Sequence, residues 1–131
     1  MELKFFVPMI IPSATHQEKK IATRGKRVIV YEPPKVMAAR AKYAAELARF
    51  VPKRQLKGPL WLTTKWIYKD SKTHPAETWK TTKPDTDNLV KMLKDVMTSL
   101  HFWKDDAEVA CETIQKFYDI VPGLYVEIKE L

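Results

Sequence analysis

Cysteine is almost missing from this chain: Cys111 is the single one among 131 residues. That excludes an intramolecular disulfide framework and a cysteine metal cluster, and it fits a reducing compartment. The three glycines are too few for a loop that cradles phosphates, so no nucleotide cofactor is expected. No nucleophilic serine or cysteine motif occurs either. His16, His74 and His101 lie far apart and lack zinc-ligand spacing, and no role is assigned to them. Long apolar runs are absent as well. Nothing approaches the ~18 consecutive apolar residues of a membrane span, and the opening Met-Glu-Leu-Lys-Phe-Phe-Val has no small-residue cleavage site after it. The expectation is a cytoplasmic protein without a membrane segment.

What the chain has in quantity is positive charge, unevenly placed. Lys and Arg outnumber Asp and Glu by 23 to 16, a net +7. Residues 1–84 hold 18 basic against 6 acidic side chains (net +12), while residues 85–131 hold 5 against 10 (net −5). A basic face that gathers a polyanion beside an acidic site explains the division, because Lys and Arg that neutralise phosphates release counterions. A merely solvated Lys-rich surface is the plainer reading. A hydrophobic fraction of 45% and a charged fraction of 30% describe an ordinary globular composition.

Periodicity supplies the elements. Leu3, Phe5 and Val7 alternate for a first strand that ends at Pro8 and Pro12. Residues 12–27 are polar and basic without a period, which predicts a flexible basic loop. Val28–Tyr31 is a short strand, and Pro33-Pro34 opens a helix over 35–50 with Val36, Ala39, Tyr43, Leu47 and Phe50 on one stripe, stopped by Pro52. Leu60, Leu62, Thr64, Trp66 and Tyr68 alternate for a strand, and 70–82 reads as a loop. Leu89, Leu93, Val96 and Leu100 fall at helical spacing, with Thr86 or Asp87 as the expected cap. Residues 107–118 and 124–128 close the chain as strands around a Pro122-Gly123 turn. The expected fold is α+β over a single domain, 1–131: a small mixed β-sheet packed with two main helices. Trp61, Trp66, Trp79 and Trp103 are expected mostly in the core, with an exposed one available to stack on an unpaired base.

The chemistry concentrates in Lys83-Pro84-Asp85-Thr86-Asp87-Asn88-Leu89 and in Trp103-Lys104-Asp105-Asp106. Asp87, Lys91 and Asp95 share one helical face at i, i+4, i+8. Asp85 enters from the preceding loop, and Asp106 returns if the next strand packs antiparallel to the helix. Three carboxylates in one place raise one another's pKa unless a cation joins them. Mg²⁺, or Mn²⁺ in its stead, takes such oxygen ligands and serves phosphodiester hydrolysis. Lys91, one turn from Asp87, would then bind a phosphate oxygen or orient the attacking water. Taken singly, Asp87 as a cap, Asp87 with Lys91 as a surface ion pair, and Asp105-Asp106 as turn residues are plainer readings.

The spaced pattern K-P-D-x-D-N-L-x-K, a short helix, then W-x-D-D-x-x-V resembles the RusA-type Holliday junction resolvases over residues 83–109. The early Pro12-Ser13 pair, the basic loop, the helix and the closing strands agree more loosely. The resemblance implies Mg²⁺ ligands at Asp85, Asp87 and Asp106, the family lysine at Lys91, and a homodimer that nicks four-way DNA junctions in symmetric pairs during recombination and repair, often from prophage genes. Asp105, Asn88 and Asp95 are expected around the ligands, and Arg24, Lys26, Arg27, Lys80 and Lys83 against DNA. Glu108 stands where the family often has Gln, adding a carboxylate nearby. The alternatives are a non-catalytic DNA-binding module and a nuclease for other branched or flapped DNA.

Overall fold

Alternating side chains set the middle of the molecule. Leu60, Leu62, Thr64 and Trp66 are buried on one face of a strand whose other face, carrying Trp61, Thr63 and Lys65, stays partly open. The computed structural model describes residues 1–15, 20–24 and 27–131. In chain order the elements are β1 (Glu2–Pro8), β2 (Lys20–Arg24), β3 (Arg27–Tyr31) and α1 (Pro34–Leu47) with a 3₁₀ turn over Ala48–Phe50. Then come β4 (Leu60–Lys69), β5 (Thr78–Trp79), α2 (Thr86–Ser99), a 3₁₀ turn over Asp106–Glu108, β6 (Val109–Asp119) and β7 (Gly123–Glu130). The strands form a five-stranded mixed sheet in the order β1-β7-β4-β6-β5, so the fold is α+β as expected.

Only β4 and β6 run parallel among the pairs of this sheet. A parallel pair needs a crossover connection, and α2 lies within it. The helix carries the apolar stripe that the crossover requires, burying Leu89, Val90, Met92, Leu93, Val96 and Met97. On α1, Val36, Ala39, Tyr43 and Leu47 are buried, with Tyr43 edge-on to Trp66 at 6.2 Å. Both helices therefore share one core with the inner sheet face. Each fully buried Leu, Val or Phe there is stabilising by roughly 1.5–3 kcal/mol. On the outer face the Lys65 ammonium sits over the Tyr125 ring and the Lys129 ammonium over the Trp61 ring, on the side of the sheet that the helices leave open.

Three local readings change. Part of the expected 12–27 loop is β2, which pairs with β3 from Lys20↔Tyr31 to Arg24↔Arg27, while 16–19 and 25–26 lie outside the described residues. Cross-strand pairing overrides weak periodicity there. Within the expected 70–82 loop, β5 adds a two-residue edge to β6. Gly123 belongs to β7 rather than to a turn, and a Cβ on it would fall 2.5 Å from the Val7 carbonyl oxygen. No helix among the described residues is long and apolar enough to cross a membrane.

Candidate active site

At the start of α2 a carboxylate is left over. Asp85 takes the N-cap position in extended backbone (φ −71°, ψ 149°), and its carbonyl accepts the Leu89 N–H at 3.1 Å, but its side chain makes no capping bond. Thr86 and Asp87 lie inside the first turn, so neither is the expected cap. The free N–H groups of that turn give the helix end a partial positive charge that favours the Asp85 and Asp87 carboxylates.

A cleft of about 410 Å³ lies between α2 and β6, its polar walls formed by Thr86, Asp87, Lys91, Lys94, Asp106 and Glu112. Asp87, Lys91 and Asp106 are thus brought together. Asp85 is exposed and outside this lining, because it precedes the helix and is not carried on the helical face that Asp87 and Lys91 present. Among the described residues no three His, Cys, Asp or Glu side chains form a metal-holding group, so the expected convergence of three carboxylates is realised for two. Those two suit a hard divalent cation. The carboxylates of Asp87 and Asp106 have no hydrogen-bond or ion-pair partner among the described residues, whereas Glu112 is paired with Lys94. Mg²⁺ commonly takes one or two carboxylates, several waters and substrate phosphate rather than a full protein cage.

Buried neighbours hold Asp106 in place. Helix α2 ends in a Schellman arrangement, with the Phe102 N–H on the Met97 carbonyl (3.1 Å), the His101 N–H on the Thr98 carbonyl (3.0 Å) and His101 at φ 68°. Phe102 and Trp103 are then fully buried, and the Trp103 indole donates to Thr98 Oγ1 at 2.7 Å. Asp105 caps the following 3₁₀ turn by accepting the Ala107 N–H at 2.8 Å. Glu108 accepts from the backbone N–H groups of Gly58 (3.0 Å) and Asp105 (3.4 Å). The added carboxylate therefore works as a clamp on this turn and lies outside the cleft lining, as does Asp105.

Asp95 turns elsewhere. Its carboxylate is 3.6 Å from the Arg40 guanidinium of α1, and Lys94 takes the place on the cleft that i, i+4, i+8 spacing gives to Asp95. Asn88 is half-buried in the first turn of α2, outside the lining, and Lys83 is exposed beside Pro84. The Lys80 ammonium is engaged within the protein, donating to Thr82 Oγ1 at 2.7 Å and lying 4.7 Å from the Tyr68 ring centre. Arg24 pairs with Arg27 in the backbone register of β2 and β3, and Lys26 lies outside the described residues.

Sequence reasoning missed Lys94, Glu112 and Lys116. The signal was period two on β6, where Glu112, Ile114, Lys116 and Tyr118 share a face. Lys116 donates to the carbonyls of Thr82 and Pro84, both at 2.7 Å. Partial burial pushes its ammonium pKa down, the Lys80 charge adds to this, and Asp85 opposes it. Burial also pushes the Tyr68 hydroxyl up.

Comparison with known proteins places these observations. The family model described as Endodeoxyribonuclease RusA matches residues 10–129. The chain is similar to the crossover junction endodeoxyribonuclease rusA of Lactococcus phage r1t, 34% identical over 73 residues, 56% of each chain. It is also similar to the uncharacterized protein YqaN of Bacillus subtilis (strain 168), 45% identical over 51 residues, 39% of this chain and 35% of that one. The matches thus span about half or less of these relatives' lengths.

Proposed function

The chain belongs to the RusA endodeoxyribonuclease family, and from that premise we propose that residues 1–131 act as one metal-dependent nuclease domain that resolves four-way DNA junctions. The observation that carries the reading is the cleft that joins Asp87, Lys91 and Asp106, with both carboxylates unengaged among the described residues. A basic N-terminal part and the phage relative's printed activity agree with DNA as substrate.

Asp87 and Asp106, with Asp85 at the helix entrance, would hold Mg²⁺. Bound there, the ion supplies charge neutralisation at the phosphate and lowers the pKa of water. Lys91 is exposed, has no partner among the described residues and lines the same cleft. Its ammonium binds a non-bridging phosphate oxygen whose charge grows as water attacks phosphorus. The water oxygen bonds to phosphorus, the P–O3′ bond breaks, and the proton lost by the water balances the one gained by the 3′ oxygen. The products are a 5′-phosphate and a 3′-hydroxyl. A homodimer offers two clefts about a two-fold axis, matching a junction that is itself two-fold.

Incubating the protein with a labelled four-way junction and Mg²⁺ tests the reading, with flap and linear duplex as comparison substrates. Asp87→Asn or Asp106→Asn is expected to slow cutting by at least about 100-fold, the scale for losing one preorganised charge contact at the reacting phosphate. Equal cutting by these variants overturns the site, and metal-independent binding without cutting overturns the enzyme.

A further inference from the structure

The loop that delivers Asp85 is tied to the sheet by lysines. Among the described residues, the hydrogen bonds joining residues 81–84 to the sheet come from Lys116, which donates to the Thr82 and Pro84 carbonyls at 2.7 Å each, and from Lys80, which donates to Thr82 Oγ1 at 2.7 Å. The two are linked, since the Lys80 N–H donates to the Lys116 carbonyl at 3.0 Å. Lys80 is itself braced between aromatic rings, 4.7 Å from Tyr68 and 5.4 Å from Tyr118. We propose that Lys116 is a positioning residue of the active site, fixing through its two carbonyl contacts the peptide that enters Asp85.

The geometry gives the reason. The Pro84 carbonyl belongs to the same planar peptide unit as the Asp85 N–H, so holding that oxygen sets the plane from which the Asp85 Cα departs. Thr82, Lys83 and Asp85 are exposed, and packing alone does not fix them. The ammonium also places a positive charge within electrostatic reach of Asp85. A half-buried ammonium gives up hydration, and its bonds to two carbonyls offset this. A lysine kept there serves the loop more than the core.

The inference rests on the nuclease reading for its consequence, and its test separates the two. Lys116→Met keeps the stem and removes the donor. Hydrogen exchange of the full-length protein is expected to speed up by about tenfold at the Leu89 amide, which donates to the Asp85 carbonyl at 3.1 Å, one charge-assisted hydrogen bond's worth. Exchange in β4 and β7 stays unchanged. Mn²⁺ affinity read by electron paramagnetic resonance is expected to fall by about 10-fold or more, the scale for losing an outer partner of a ligand. Single-turnover junction cutting at saturating Mg²⁺ falls by about 10–100-fold while junction affinity stays within about 2-fold. Unchanged exchange at the Leu89 amide with unchanged Mn²⁺ affinity overturns the proposal. A wild-type protein that binds Mn²⁺ but cuts no junction overturns the nuclease reading and leaves this one standing. Should Lys116→Met fail to fold, Lys116→Gln, which removes the charge and shortens the reach while keeping a polar amide, is read by the same measurements.

Discussion

Gly58→Ala is the substitution that most directly tests how Asp106 is held. A Cβ at position 58 would stand 2.6 Å from Glu108 Cβ and 3.0 Å from the Glu108 carbonyl oxygen, where ordinary contact begins at 3.4 Å. The two backbones must therefore separate by about 0.8 Å, the difference of those distances. That motion stretches the Gly58 N–H to Glu108 Oε1 bond of 3.0 Å and carries the 3₁₀ turn of Asp106–Glu108 with it. Overpacking of this kind costs about 1–3 kcal/mol. At this chain length that is roughly 3–5 °C of melting temperature per kcal/mol. Misplacing a catalytic group by about 1 Å costs about 100-fold in rate. The expectation is thus a stable protein with a modestly lower melting temperature and a large loss in single-turnover junction cutting at saturating enzyme. Wild-type cutting together with a wild-type melting temperature would refute the argument, because the turn would then absorb the displacement without moving Asp106.

Further expectations concern stability. Leu93, fully buried on α2 beneath the sheet, should cost about 2–5 kcal/mol when replaced by Ala, read as the shift of a urea unfolding curve. A shift under about 1 kcal/mol would mean that the helix packs loosely. Glu130 accepts from Arg54 at 2.8 Å and the Lys57 N–H at 2.8 Å, and it lies 3.1 Å from the N-terminal ammonium. Led by the Arg54 bond, these hold its carboxyl down at about 2, against an ordinary 4.5. A depressed carboxyl stabilises the fold above its unfolded value, and that contribution is lost as pH falls through the folded one. The melting-temperature difference between wild type and Glu130→Gln should therefore be full at neutral pH and vanish as pH falls from 4.5 towards 2. A difference that stays constant with pH would assign the effect to packing.

Much of the fold is legible in single segments. Alternation from Leu60 to Trp66 marks β4, and the apolar spacing of Leu89, Leu93 and Val96 marks α2, because each pattern repeats the period of the element that buries it. The hairpin of β2 and β3 is not legible that way, since its pairing partner rather than its own period defines it. The four tryptophans, expected mostly in the core, divide evenly between core and surface. Trp66 and Trp103 are buried with their indole N–H groups donating to Thr64 and Thr98, while Trp61 and Trp79 are 37% and 67% exposed. The site divides in the same manner. Asp87 and Lys91 are readable as one face because a helix fixes spacing locally, but Asp95 obeys the same spacing and is drawn to Arg40 on α1 instead.

By itself the sequence determined β1, β4, β6, β7 and the two helices and put Asp87 and Lys91 on one helical face, because helical and strand periods act over a few positions. Tertiary structure alone decided what surrounds them. Pairing β6 parallel to β4 sets its inner face against α2, which puts Glu112 opposite Lys94 and Lys116 beneath the Asp85 loop. The same packing makes Glu108, a carboxylate added near the motif, a clamp on Gly58, 50 residues earlier in the chain. Contacts between residues so distant in sequence are set by the closing of the sheet, and no local period encodes that closing.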